Sequence, residues 1–159
     1  MTETEFSNKL QQLAGMPASE FVLHRQPMLV LDRLLEIGPA YAICEWHVSG
    51  NNGFLVPHRG VPSYAGVEYM AQCIAVYGGA NDRINGIGPQ PGLLLGSRHY
   101  KADVRYFEVD ISYQVECTQL VRTDEGMASF DCKILLDSET IAKGRLAVLQ
   151  MQEGDLSDG

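Results

Sequence analysis

One segment narrows the folds open to this chain more than any other. Residues 63–79 read SYAGVEYMAQCIAVYGG, and from Val67 to Tyr77 the only strongly polar side chains are Glu68 and Gln72. A helix that is apolar almost all round must be buried on nearly every side. Ser63, after Pro62, suits an N-cap, and Gly78 and Gly79 suit a stop. At 159 residues the chain is long enough for one substantial core. The cover for that helix must therefore come from the rest of the chain.

Most of the rest reads as strands. Met28 to Ile37 opens with the apolar run Met28–Leu31 and ends before the turn signal Gly38-Pro39. Tyr41 to Val48 follows, then a loop rich in glycine and proline from Ser49 to Pro62. After a second loop, Asn81 to Pro91, strands are expected over Gly92–Arg105 and around Ile111, Tyr113, Val115 and Cys117, which alternate with polar residues. Met127–Leu136 and Thr140–Met151 complete the set, with turns at Thr123–Gly126 and Asp137-Ser138-Glu139. A short helix is expected over Glu3–Ala14, where Phe6, Leu10 and Leu13 share a face, and a loop over Phe21–Pro27. Residues 1–151 read as a single domain and residues 152–159 as a polar tail. Short connections favour antiparallel hairpins. The expected architecture is α+β, a curved antiparallel sheet wrapped around one long central helix.

Bulk properties exclude several classes. The net charge of -8 argues against non-specific binding to nucleic acid or an anionic membrane. No apolar run approaches the roughly 20 residues of a membrane helix, and Met1 to Gln12 lacks the pattern of a signal peptide. Cys44, Cys73, Cys117 and Cys132 form no C-x-x-C pair and read as small buried hydrophobes, with no metal site expected. A cytoplasmic location is the default expectation. There is no G-x-S-x-G elbow, no P-loop and no dinucleotide fingerprint.

Two stretches carry a family likeness. FVLHRQPMLVLDRLLEI, residues 21–37, resembles the opening of bacterial 3-hydroxyacyl-acyl-carrier-protein dehydratases, L-x-H-R-x-P followed by an apolar strand ending D-R-V/L-L-E; the matching positions are His24, Arg25, Pro27, Asp32 and Arg33. PSYAGVEYMAQ, residues 62–72, resembles the start of that family's central helix, with Glu68 at the acidic position and Met70, Ala71 and Gln72 matching. V-P-x-x-x-G-x-E-Y-M-A-Q and the following L-L-L-G point to the dehydratase-like branch of aryl polyene clusters. The resemblance implies a hotdog fold, a dimer with a tunnel at its interface, and a catalytic His and Glu from opposite subunits. It implies no metal or redox cofactor, the substrate being carried on phosphopantetheine.

Dehydration of a 3-hydroxyacyl thioester needs a base for the C2 proton, an acid for the departing hydroxyl, and donors for the enolate oxygen. Glu68 suits the acid, and Gln72, four residues on, could orient it. The base is less clear. The family's His stands fourteen residues before its acid, where this chain has Phe54. His58 lies in the same loop, ten residues before Glu68, and is the provisional base; a solvated loop histidine is the competing reading. His24 is a further candidate, although in the family that residue more often organises the loop. His47 and His99 read as satisfied strand residues. Ser63 replaces the family's glycine at the helix start and could cap the helix with its N–H still free, while Gly66 could open space for the acyl chain or simply permit packing. Arg98, Lys101 and Arg105 form a local basic cluster that could dock the carrier protein, or be a solvated edge.

The expected function is 3-hydroxyacyl-carrier-protein dehydration in fatty-acid or polyene biosynthesis. The alternatives are a non-catalytic hotdog subunit paired with an active dehydratase, favoured by Phe54, and a hotdog thioesterase. Partners expected are an acyl carrier protein and either a second copy or a second hotdog dehydratase.

Overall fold

The computed structural model describes residues 1–150. The polar tail expected over residues 152–159, and Met151 before it, lie outside the described residues. Strands β1 (Arg33–Gly38), β2 (Tyr41–His47), β4 (Gly92–Ala102), β6 (Ser112–Arg122), β7 (Met127–Leu136) and β8 (Glu139–Gln150) form one antiparallel sheet in the order β1-β2-β6-β7-β8-β4. Two short strands, β3 (Val61–Pro62) and β5 (Tyr106–Phe107), pair separately. Helix α1 (Glu3–Gln11) precedes the sheet, and helix α2 (Gly66–Ile84) lies on its concave face. This is the expected α+β arrangement.

Alternation along the strands supplies the floor beneath α2. Ala42, Cys44 and Trp46 on β2, Tyr113, Val115 and Cys117 on β6, and Phe130, Cys132 and Ile134 on β7 are all buried. They meet Tyr69, Cys73, Val76 and Ala80 of α2, whose spacings of four, three and four define one helix face. Trp46 stacks on Tyr69 with ring centroids 4.1 Å apart and on Tyr113 at 5.2 Å, fixing the start of α2 to the sheet. All four cysteines are free and buried, as the sequence suggested. Burial pushes the Cys73 and Cys117 thiols well above their ordinary range, which makes them inert packing groups.

Several boundaries differ from expectation. Helix α1 ends at Gln11 rather than Ala14. Helix α2 runs through Gly78 and Gly79 to Ile84, and part of the loop expected over 81–91 is helical. Neither glycine adopts a positive φ; the left-handed residue is Gly86, at φ 77°, after the C-cap Asn85. Gly79 serves close approach instead, since a Cβ there would stand 1.9 Å from the Phe21 carbonyl oxygen. The strand expected to begin at Met28 begins at Arg33. The strand expected over 92–105 ends at Ala102, and residues 106–107 pair with β3 instead.

The two sheet edges are treated differently. The N-terminal segment covers β1: Gly15 N–H donates to the Leu34 carbonyl at 2.7 Å, and Leu34 N–H to that of Met16 at 3.0 Å. Strand β4 pairs only with β8, and its outer edge has no strand partner among the described residues.

Candidate functional site

Helix periodicity builds one wall of the site. Glu68, Ala71, Gln72, Ala75, Gly78 and Asp82 fall at i, i+3, i+4, i+7, i+10 and i+14 on one helix face, and all line a cavity of about 550 Å³. Asp82 lies fourteen residues after Glu68, about 21 Å along the axis at 1.5 Å per residue. Helix α2 is thus not covered all round, as its apolar composition suggested. Ala71, Ala75 and Gly78 are apolar but small, and they leave a trough where larger residues would have packed. The spacing of these small residues was the sequence signal for that trough. The opposite walls are the loop from Phe21 to His24, the start of β4 at Leu93 and Leu94, and the ends of β6 to β8.

Gln72 organises the Glu68 end of the trough. Its side chain is 1% exposed and makes three hydrogen bonds. Its Oε1 accepts from Val30 N–H at 2.9 Å, and its Nε2 donates to the Met28 carbonyl at 2.8 Å and to Glu68 Oε1 at 2.9 Å. A backbone donor on one side and a backbone acceptor on the other fix which way the amide points. Both amide hydrogens are used, so Glu68 Oε1 is held as an acceptor and Oε2 is left for a ligand. The same bonds take up the Met28 carbonyl and the Val30 N–H, so at these two residues a side chain stands where a ladder partner would.

His24 faces the cavity that Glu68 lines, and its Nδ1 is buried without a hydrogen-bond partner. Such an atom is uncommon enough to call for an explanation. Arg25 stiffens the loop beside it by donating to the carbonyls of Val22 at 2.8 Å and His24 at 2.7 Å. His58 is elsewhere: it is exposed, at φ 68°, in a tight turn closed between Val56 and Gly60, and it does not line the cavity. Within the chain, Glu68, Gln72 and His24 line the same cavity, and His58 does not.

The remaining candidates fall as follows. Phe54 packs half-buried against the core and does not line the cavity. Ser63 does not cap α2; its N–H is taken by the Arg105 carbonyl at 2.8 Å, so it is not a free donor for an enolate. Gly66 does not open acyl space: a Cβ there would meet the Tyr100 hydroxyl at 2.1 Å, so the glycine serves helix–strand packing. His47 is satisfied, with Nδ1 3.1 Å from Ser112 Oγ. His99 is exposed in a bulge of β4. Arg98 and Lys101 stand on β4 opposite Arg145 and Lys143 of β8, while exposed Arg105 follows that strand. At the far end of the trough Gln150 Nε2 donates to Asp82 at 2.9 Å, and burial raises the Asp82 carboxyl above its ordinary range. The sequence reading missed this polar end, because Gln150 is 68 residues from Asp82.

Comparison with known proteins follows the same line. A component of the dehydratase heterocomplex ApeI:P from Xenorhabdus doucetiae superposes with a TM-score of 0.83 at 24% identity, covering 90% of this chain and 96% of that one. Phenylacetic acid degradation protein PaaI from Thermus thermophilus matches with a TM-score of 0.58 at 12% identity, over 77% of this chain and 95% of that one. A hypothetical thioesterase with coenzyme A from Streptococcus pneumoniae gives 0.55 at 11%, over 75% and 84%. These likenesses show the hotdog fold. No curated protein matches in sequence. Residues 16–158 do match the ApeP-like family, described as ApeP dehydratase, and the chain belongs to that hotdog dehydratase family.

Proposed function

We propose that this dehydratase removes water from 3-hydroxyacyl groups held as phosphopantetheine thioesters on an acyl carrier protein, in aryl polyene synthesis. The observation that carries the reading is the trough: a carboxylate and an imidazole line it, and a channel walled by Ala71, Ala75 and Gly78, long enough for an extended acyl chain, runs on to the polar end at Asp82. Glu68 protonates the departing hydroxyl through Oε2, while Gln72 holds Oε1. His24 accepts the C2 proton; its buried, unpartnered Nδ1 is in keeping with a ring whose hydrogen bonding awaits a ligand. One C–H and one C–O bond break, the C2–C3 double bond forms, and water leaves, so no redox partner is required.

A second reading is supported by the exposure of His58, which leaves it open to a neighbouring subunit. There His58 of one chain would act with Glu68 of another. That second reading calls for a neighbouring hotdog subunit, in line with the heterocomplex named for its structural relative. The chain is expected to act in the cytoplasm; no described helix is long and apolar enough to cross a membrane. The test is mass spectrometry of 3-hydroxyacyl-carrier-protein incubated with this chain, alone and with a hotdog partner. Loss of water in either mixture, abolished by Glu68→Gln in a folded protein, is the expected result. Unchanged turnover by Glu68→Gln would remove the carboxylate from the chemistry.

A further inference from the structure

Helix α2 ends its trough-facing stripe on a carboxylate that packing does not account for. Asp82 stands in the last turn, where the helix dipole disfavours a negative charge. It makes no ion pair among the described residues, and its neighbour Arg83 is engaged with Glu20 at 3.3 Å. It is not a freely solvated group either: burial raises its carboxyl above the ordinary range, against the pull of the Gln150 hydrogen bond and the Arg122 charge. Gln150 Nε2 donates to Oδ2 at 2.9 Å, and Oδ1 accepts from no described residue. Gln150 is itself held in place, with its N–H donating to the Gly126 carbonyl at 3.0 Å and Gly92 of β4 opposite it. Asp82, Arg122 and Gln150 come from three separate elements and line one trough, whose walls between them and Glu68 include Ala71, Ala75 and Gly78. A pocket with apolar walls and a few convergent polar groups is the usual form of a site that fixes one end of a ligand.

We infer that Asp82, held by Gln150, is a specificity-determining residue: it recognises the far end of the acyl group and favours chains that end there in a hydroxyl over chains that end in a methyl. The inference rests on the reading above that the trough holds the acyl chain. With the reacting carbons at Glu68, a chain lying along α2 reaches Asp82 after about 21 Å, so only a long acyl group is read there. The chemistry of the terminus follows from the groups that meet it. Oδ1 is an acceptor and calls for a donor. An anionic end would be repelled by the carboxylate, and a cationic end by Arg122. A hydroxyl donates to Asp82 and keeps lone pairs for the Arg122 or Gln150 N–H groups. A methyl end would displace water from Asp82 and give no hydrogen bond in return, which is costly for a polar group taken out of solvent. A site built to hydrogen-bond a substrate hydroxyl discriminates against the analogue that lacks it for this reason.

The experiment measures binding by calorimetry, with the full chain and two acyl phosphopantetheine thioesters of equal length, long enough to span from Glu68 to Asp82. One ends in a methyl group and the other carries a hydroxyl on that last carbon. Wild type should bind the hydroxyl-ended thioester about tenfold more tightly. Asp82→Leu should bind the hydroxyl-ended thioester more weakly than wild type does, and the methyl-ended one more tightly, so that the preference inverts. A general loss of structure would move both affinities down together, and that outcome overturns the inference. If Asp82→Leu does not fold, Asp82→Ala serves, and should bring the two affinities close to equal; a preference that survives it overturns the inference as well. Equal affinities in wild type overturn this inference alone and leave the dehydratase reading standing. Failure of wild type to bind either thioester would take the acyl chain out of the trough, a failure of the earlier reading that this inference shares. No turnover is needed for any of these readouts, so they do not depend on which residue is the base.

Discussion

Gln72 has no water to fall back on. Each of its three hydrogen bonds ends on a group that would otherwise be stranded, and two of those groups are backbone atoms more than forty residues away in sequence. Replacing it with leucine keeps the bulk and removes every bond. The Val30 N–H and Met28 carbonyl would lose their partners in the interior, which is where the penalty of a missing hydrogen bond is largest. Gln72→Leu is expected to lower stability by about 2–4 kcal/mol, read as a reduced denaturant midpoint. Turnover should fall as well, since Glu68 loses the donor that holds it. A variant of wild-type stability would mean that the loop finds other partners. The bond to Glu68 was legible in the sequence, because four residues is one turn of helix. The bonds to Met28 and Val30 were not, because no local pattern reports which loop folds over a helix. The same limit hid the roles of Ser63 and Gly66, which are set by Arg105 and Tyr100.

The adjacent glycines of α2 separate two effects that a sequence presents as one. Gly78 and Gly79 both looked like a stop signal, yet they face different surroundings. Gly79 presses against the backbone of Phe21, whereas an added Cβ at Gly78 would meet nothing within 4 Å. Gly79→Ala must push the helix from the loop that carries His24, and should destabilise by about 2–3 kcal/mol through overpacking. Gly78→Ala relieves the entropic weakness of a helical glycine and should stabilise by up to about 1 kcal/mol. It also places a methyl group on the wall of the trough, so KM for long acyl substrates should rise. Thermal melts and a chain-length series check the pair; equal effects at both positions would contradict the asymmetry. The element itself was legible, since a run so poor in polar residues has few alternatives to a buried helix. Its end was misplaced because glycine marks both chain reversal and close contact, and only the tertiary neighbours tell the two apart.

At the scale of the whole molecule, the sheet wrapped around the helix followed from strand alternation and short turns. The placement of the base did not, because Phe54 stands at the family's base position and two histidines in different loops, His24 and His58, remain as candidates. Subunit complementation can decide it. Glu68→Gln chains and His58→Ala chains would each be impaired if Glu68 acts with His58 of a neighbour. Mixed, they would form pairs in which one site holds an intact Glu68 from one chain and an intact His58 from the other. In a two-fold assembly with random exchange, about a quarter of sites should be restored. If His24 is the base within the same chain, His58→Ala should leave turnover near normal, His24→Ala should lower it by about a hundredfold or more, and mixing Glu68→Gln with His24→Ala should restore nothing. His24 lines the trough with its Nδ1 buried and unpartnered, whereas the His58 ring is exposed at the Val56–Gly60 turn, which makes the second pattern the expected one. Recovery of about a quarter of wild-type activity by the Glu68→Gln and His58→Ala mixture would move the base to His58 and leave His24 with the loop.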